Sequence, residues 1–300
     1  MMIASLLVMT QCNPSGTTGG MGSGGGAGSG SGGVSGTGGS TPPVATINPT
    51  PGDIAIPVED TCSTITDTVQ ASACRTFMAN EIQYVLPGLE DISGLRFRDC
   101  MDRIRFEFNT DTSNLGQAYQ DGRVGIIQFN RTLTPQYFTA SPPLVFDDHE
   151  PVHLLLRCAH VPQTYNNNHV FFFGLQAELD ARIYERSGHA LTLASTLAAN
   201  NRQYISDHFE ALTRDPSLFG RPGQFFGCPG GISYILFADY LRPHHEIVHD
   251  WLMAVYNDPA LAALPYVSTD ADQRFLQVMV NLMTPTSGMR SFLSPYCPLP

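Results

Sequence analysis

LVFDDHEPVHLLLRCAH, residues Leu144 to His160, runs from an extended apolar start through an aspartate pair into His149-Glu150-Pro151-Val152-His153 and a leucine run. On a helix, side chains at i and i+4 share one face, so His149 and His153 can grip one zinc ion. Glu150, between them, can take the proton from a zinc-bound water. With nine histidines and nine glutamates in 300 residues, chance supplies on the order of 0.01 such pentapeptides per chain. A second copy, His245-Glu246-Ile247-Val248-His249, lies about a hundred residues further on.

Pro151 constrains the first copy. Proline has no amide hydrogen and clashes with the carbonyl four residues back, so it belongs in the first turn of a helix. With Asp148 as N-cap, His149 to Pro151 take the first three helical positions and the conflict disappears. The positive end of the helix dipole then faces a divalent cation, which Asp147 and Asp148 offset in part.

A zinc site needs a third protein ligand. His160 sits one residue beyond the usual place of a third histidine, with no glycine before it, and is rejected. Glu178 lies 25 residues after His153, in FFFGLQAELDARIYE, and its carboxylate completes a His-His-Glu set. In the second copy, Ile247, Val248, Trp251, Leu252 and Val255 form an apolar face, and Pro243 suits a first turn. That segment reads as a packing helix that carries two histidines. Only Asp258, Asp270 or Asp272 could serve it as a downstream carboxylate, and a transition metal on His245 and His249 remains an alternative.

Outward from this segment the hydrophobic period changes. Ala71–Leu86 reads as a helix ended by Pro87-Gly88. Arg103–Phe108 alternates as a half-buried strand, and Gly122–Phe129 is a second strand. Asn109–Gly116 between them has turn composition. Helices are expected at about 148–159, 175–187, 190–200, 201–213, 231–242, 244–256 and 270–284. A helix, a small sheet and then a helical half make the expected fold α+β.

The first twelve residues, MMIASLLVMTQC, form an apolar run too short to span a bilayer and read as a lipoprotein-type signal ending at Cys12. No Lys or Arg precedes the run, and Gln11 stands where a small residue is usual. Residues 13–52 are rich in Gly, Ser and Pro and predict a disordered tether, leaving 53–300 as one domain. The layout resembles myxobacterial surface lipoproteins and implies an extracytoplasmic chain, held by lipid at Cys12 to the cell envelope, its outer membrane above all, or secreted. Cys62, Cys74, Cys100, Cys158, Cys228 and Cys297 favour disulfides in that compartment. Fifteen pairings are possible and the sequence does not choose among them, with Cys62–Cys74 a candidate local pair. The formal charge of −11, with no basic stripe, excludes nucleic acid as a natural partner. Oligomeric state is not legible, and no G-x-S-x-G elbow supports a serine hydrolase.

HEPVHLLL, FFFGLQAELDARIYE and GGISYILFADYLRPHHEIVHDWL resemble three successive blocks of the gluzincin-like zinc metallopeptidases, over about Val145 to Tyr256. The resemblance implies a zincin-like fold, in which a small sheet with an edge strand precedes the helix carrying the motif. It implies zinc on His149 and His153, Glu150 as general base, and peptide or protein substrates. Gly122–Phe129 would be the edge strand and Tyr234 the oxyanion donor. Aligning Gly174-Leu175 with the family's Gly-Leu places Phe173, which cannot bind zinc, at the third-ligand position. Either Glu178 has taken that role from the next turn, or the domain is a degenerate, non-catalytic relative acting as a binding or structural lipoprotein.

Overall fold

Phe77 meets Phe106, Phe108 and Phe129 edge-on, with ring centroids 5.3–6.4 Å apart, and this contact seats the first helix on the sheet. The structure is a computed structural model, and it describes residues 46–47, 54, 56–109, 116–130, 146–166, 169–215 and 246–282. The fold is α+β, with strands confined to the first half of the described residues. The sheet has five strands in the order β1-β2-β3-β5-β4: β1 (Thr46–Ile47), β2 (Val58–Glu59), β3 (Arg103–Asn109), β4 (Gly116–Asp121) and β5 (Val124–Asn130). β2, β3 and β5 run parallel, whereas β1 and β4 are antiparallel edges.

The resemblance makes Gly122–Phe129 the edge strand, but β5 lies inside, between β3 and β4. The edge is β4, GQAYQD, whose residues are all partly exposed or exposed. Its polar side chains carry no period-2 signal, so the strand is invisible to a patterning rule. Asp121-Gly122-Arg123-Val124 turns the chain into β5, with Gly122 at φ 58° as a tight hairpin requires.

The first helix also departs from expectation. α1 (Thr68–Asn80) does not stop at Pro87-Gly88: it passes through a wide π turn, Glu81–Val85, into α2 (Leu86–Ser93). Proline forfeits a hydrogen bond to the preceding turn, and the widened turn accommodates that loss without ending the helix. Gly88 brings the helix close to its neighbour, because a Cβ there would stand 3.2 Å from Leu179 Cδ1. The stop comes at Gly94, φ 73°, a left-handed cap. Asp67 begins α1 by accepting from the amides of Val69 and Gln70, each at 2.9 Å.

α3 (Phe97–Cys100) leads into β3. The helical half contains α4 (Glu150–Cys158), α5 (Gln163–Asn166), α6 (His169–Arg186), α7 (Thr192–Arg214), α8 (Glu246–Tyr256), α9 (Pro259–Ala262) and α10 (Thr269–Leu282). α7 joins the two helices expected at 190–200 and 201–213, since no Gly or Pro breaks the sequence between them. The helix expected at 231–242 lies outside the described residues. α4 packs under β4 and β5, and α6 pairs with α7. Gly125 on β5 admits Leu154 of α4, whose Cδ2 would lie 2.9 Å from a Cβ there.

Two disulfides form among the described residues. Cys62–Cys74, the expected local pair, ties the turn before α1 to that helix, with Cα atoms 5.7 Å apart. Cys100–Cys158 joins the end of α3 to the end of α4, with Cα atoms 5.6 Å apart. Cys228 and Cys297 lie outside the described residues, as do Cys12 and residues 13–45. Among the described residues, no helix is long and apolar enough to cross a membrane.

Candidate functional site

α4 begins at Glu150, with His149 rather than Asp148 as its N-cap and Pro151 in the first turn. The cap hydrogen bond comes from further back: Asp147 Oδ2 accepts from the Glu150 amide at 2.8 Å. Asp147 is held in turn by Glu81, in the π turn, whose Oε1 accepts from the Asp147 amide at 2.6 Å. Gln176 of α6 donates to the Asp148 carbonyl at 3.1 Å. The π turn and α6 thus fix the path by which the chain enters α4. Glu150 is buried against the edge strand, where its Oε1 would lie 2.6 Å from a Cβ on Gly116.

The imidazoles of His149 and His153 lie 5.0 Å apart, centroid to centroid, at 78°. They come together as the i,i+4 spacing predicts. Asn166 of α5 orients His153. Its Nδ2 donates to the His153 carbonyl at 3.1 Å and to the Tyr266 hydroxyl oxygen at 2.7 Å. Its Oδ1 therefore accepts from His153 Nδ1 at 2.8 Å, which places an imidazole proton on Nδ1. Arg157 lies over the Tyr266 ring at 4.2 Å and secures that end of the network.

Phe172 packs against both imidazoles, its ring centroid 4.3 Å from each, and is 2% exposed. Phe173, at the position aligned with the third ligand, instead packs on Tyr204 of α7 at 4.6 Å. Glu178 is buried, and its Oε1 accepts from Arg202 of α7 at 3.2 Å. The cause is rotational. At about 100° per residue, positions 172 and 178 point about 120° apart on α6, so one helix cannot turn both toward α4. Phe172 and Gln176 share the face toward α4, whereas Phe173, Glu178 and Asp180 contact α7.

This donor set does not fit a zinc centre of three protein ligands. Among the described residues, no three His, Cys, Asp or Glu side chains gather as a group able to hold a metal ion. His160 is turned away, stacked on Tyr256 at 5.7 Å from the left-handed position that ends α4. Tyr234 and His245 lie outside the described residues. In the second motif His249 is half exposed, bonds Asp250 at 3.1 Å and rests on Gly94, while Trp251, Leu252 and Val255 are buried as the packing-helix reading expects. Asp258 is taken by Arg274 and the Leu261 amide, and Asp272 by Thr164. Arg182 and Glu185 form an i,i+3 surface pair at 3.0 Å.

Carboxyl groups crowd around the start of α4. Burial, then the charge of Asp147, holds Glu150 well above the usual carboxylate range, and the same two causes raise Glu81. Burial and Asp148 raise Asp180 likewise. Among the described residues no donor faces Glu81 Oε2, Glu150 Oε2 or Asp180 Oδ1, so a proton on the carboxyl itself is the physical remedy. Asp180 then donates to Asp148, while Asn201 donates to its other oxygen at 3.0 Å. Burial also raises Asp148, against the lowering effect of that bond.

Glu81, Asn166, Phe172 and Asp180 are members of the site that sequence reasoning misses. Only Asp180 offers a signal, as a charged residue amid the apolar positions of α6. Comparisons with family models, curated proteins and solved structures returned no match to this chain. The likeness to gluzincins thus stands on the quoted motifs alone.

Proposed function

We propose that the folded part of this chain is a catalytically silent, zincin-like domain, serving as a binding or structural module of a cell-envelope lipoprotein. The arrangement that supports a zincin-like origin is the His-Glu-x-x-His helix lying under a two-stranded sheet edge, with Glu150 against Gly116 of the outer strand. The observation that carries the loss of catalysis is the engagement of Glu178 by Arg202, on the helix face turned to α7. Among the described residues no group of three donors forms the open three-ligand site that activates water.

The lipid at Cys12 would hold the module at the envelope, and residues 13–52 would let it reach a partner. The full-length chain, purified from membranes, should contain far less than one zinc per chain by mass spectrometry of the metal. Any trace hydrolysis of a protein substrate should survive both a chelator and Glu150→Ala. One zinc per chain, with a chelator-sensitive peptidase activity abolished by that substitution, would establish the working metallopeptidase instead. Release of diacylglyceryl-cysteine on digestion tests the anchor.

A further inference from the structure

We infer that Phe172 stands in the third-ligand position of this site and that its ring holds the two imidazoles together where an ion would. This rests on the zincin-like reading above and names the residue at which metal binding was lost. The three rings close a triangle with sides of 4.3, 4.3 and 5.0 Å. Phe172 therefore reaches toward the same space as both histidines, and it does so from α6, the helix that follows the motif. Phe173, the position singled out by sequence alignment, does not.

The support for one member of the ligand pair, His153, is intact. A metal-binding histidine ordinarily donates its second ring N–H to a fixed acceptor, which sets its tautomer. Asn166 does this for His153, and is itself fixed by Tyr266. In a neutral ring such an arrangement makes Nε2 of His153 the basic nitrogen, the atom a divalent cation takes. A glutamate at 172 would carry its carboxylate carbon about as far from Cα as the phenyl centroid, and so alongside both imidazoles. Among the described residues no third donor joins the two histidines as a metal-binding group, and the ring of Phe172 contacts both imidazoles instead.

Phe172→Glu, made in the full chain, should bind about one Zn(II) per chain, and its Co(II) form should show the intense visible bands of tetrahedral coordination. Phe172→Glu/His153→Ala should abolish both. Phe172→His is the second test, since imidazole is an equally good zinc donor. If a variant is unfolded without metal, zinc-dependent recovery of its far-ultraviolet circular dichroism supports the assignment. If both variants fold as the wild type does and neither takes up Zn(II) or Co(II), position 172 is not the ligand position. The assignment fails equally if neither folds with or without zinc. Zinc uptake by the unsubstituted chain would instead overturn the proposed loss of catalysis, so the two failures are distinguishable.

Discussion

Glu150 Oε1 lies where it would be 2.6 Å from a Cβ on Gly116, and Glu150 Cδ and Cγ would be 3.0 Å from the same atom. The edge strand approaches the motif helix closely at this point because residue 116 has no side chain. Gly116→Ala should therefore destabilise the fold by about 1–3 kcal/mol through overpacking. Shortening the opposing side chain should relieve the clash. In urea unfolding, Gly116→Ala/Glu150→Ala should be more stable than the sum of the single variants implies, with a coupling of at least about 0.5 kcal/mol. Simple additivity would show that the two residues do not touch.

The buried acids predict an unusual pH dependence. In the unfolded chain Glu81 and Asp180 release their protons near pH 4. Burial raises both in the folded chain, so folding keeps protons that the unfolded state has lost. The sign follows from linkage: stability is highest below the unfolded values and declines as pH rises toward the folded ones. Glu81→Gln/Asp180→Asn preserves the acceptor for the Asp147 amide and the acceptor for Asn201 while removing the ionisation. Between about pH 5 and about pH 8 the wild-type melting temperature should fall more steeply than that of the double variant. Parallel profiles would refute a proton-held cluster.

Cys100–Cys158 spans 58 residues and ties the start of the parallel strands to the end of the motif helix. By loop entropy alone, a bridge of that span contributes about 4 kcal/mol. Cys100→Ser/Cys158→Ser should accordingly lower unfolding stability by roughly 2–5 kcal/mol in urea at neutral pH. Peptide mapping without reductant should recover the Cys62–Cys74 and Cys100–Cys158 linkages. A loss below about 1 kcal/mol, or other partners for these cysteines, would contradict the pairing.

The parts of this fold that are readable from sequence are those set by near neighbours. Cys62 and Cys74 are close along the chain, and one turn and a helix bring them together. The alternation of Arg103–Phe108 reports burial on one face of β3, where Ile104 and Phe106 are fully enclosed. Other elements are hidden for reasons that are also physical. β4 buries too little for its polarity to alternate, so GQAYQD carries no strand signal. Pro87-Gly88 looks like a helix stop. Here a π turn absorbs the proline, and the glycine admits Leu179 from α6.

For the site, local geometry brings His149 and His153 onto one turn of α4 and puts Pro151 where it does no harm. Backbone hydrogen bonds dictate that much, and they require no distant residue. The third position is different in kind. Both Phe172 and Glu178 sit on α6, and which of them meets the imidazoles depends on how that helix is rotated about its axis. Gly88 and Leu179 on one side set that rotation, with Tyr204, Asn201 and Arg202 on the other. None of these contacts is local in sequence. A carboxylate at the right separation along the chain is therefore turned to an arginine, and a phenyl ring is left facing the histidines, because packing between helices orients α6 and spacing along the chain does not.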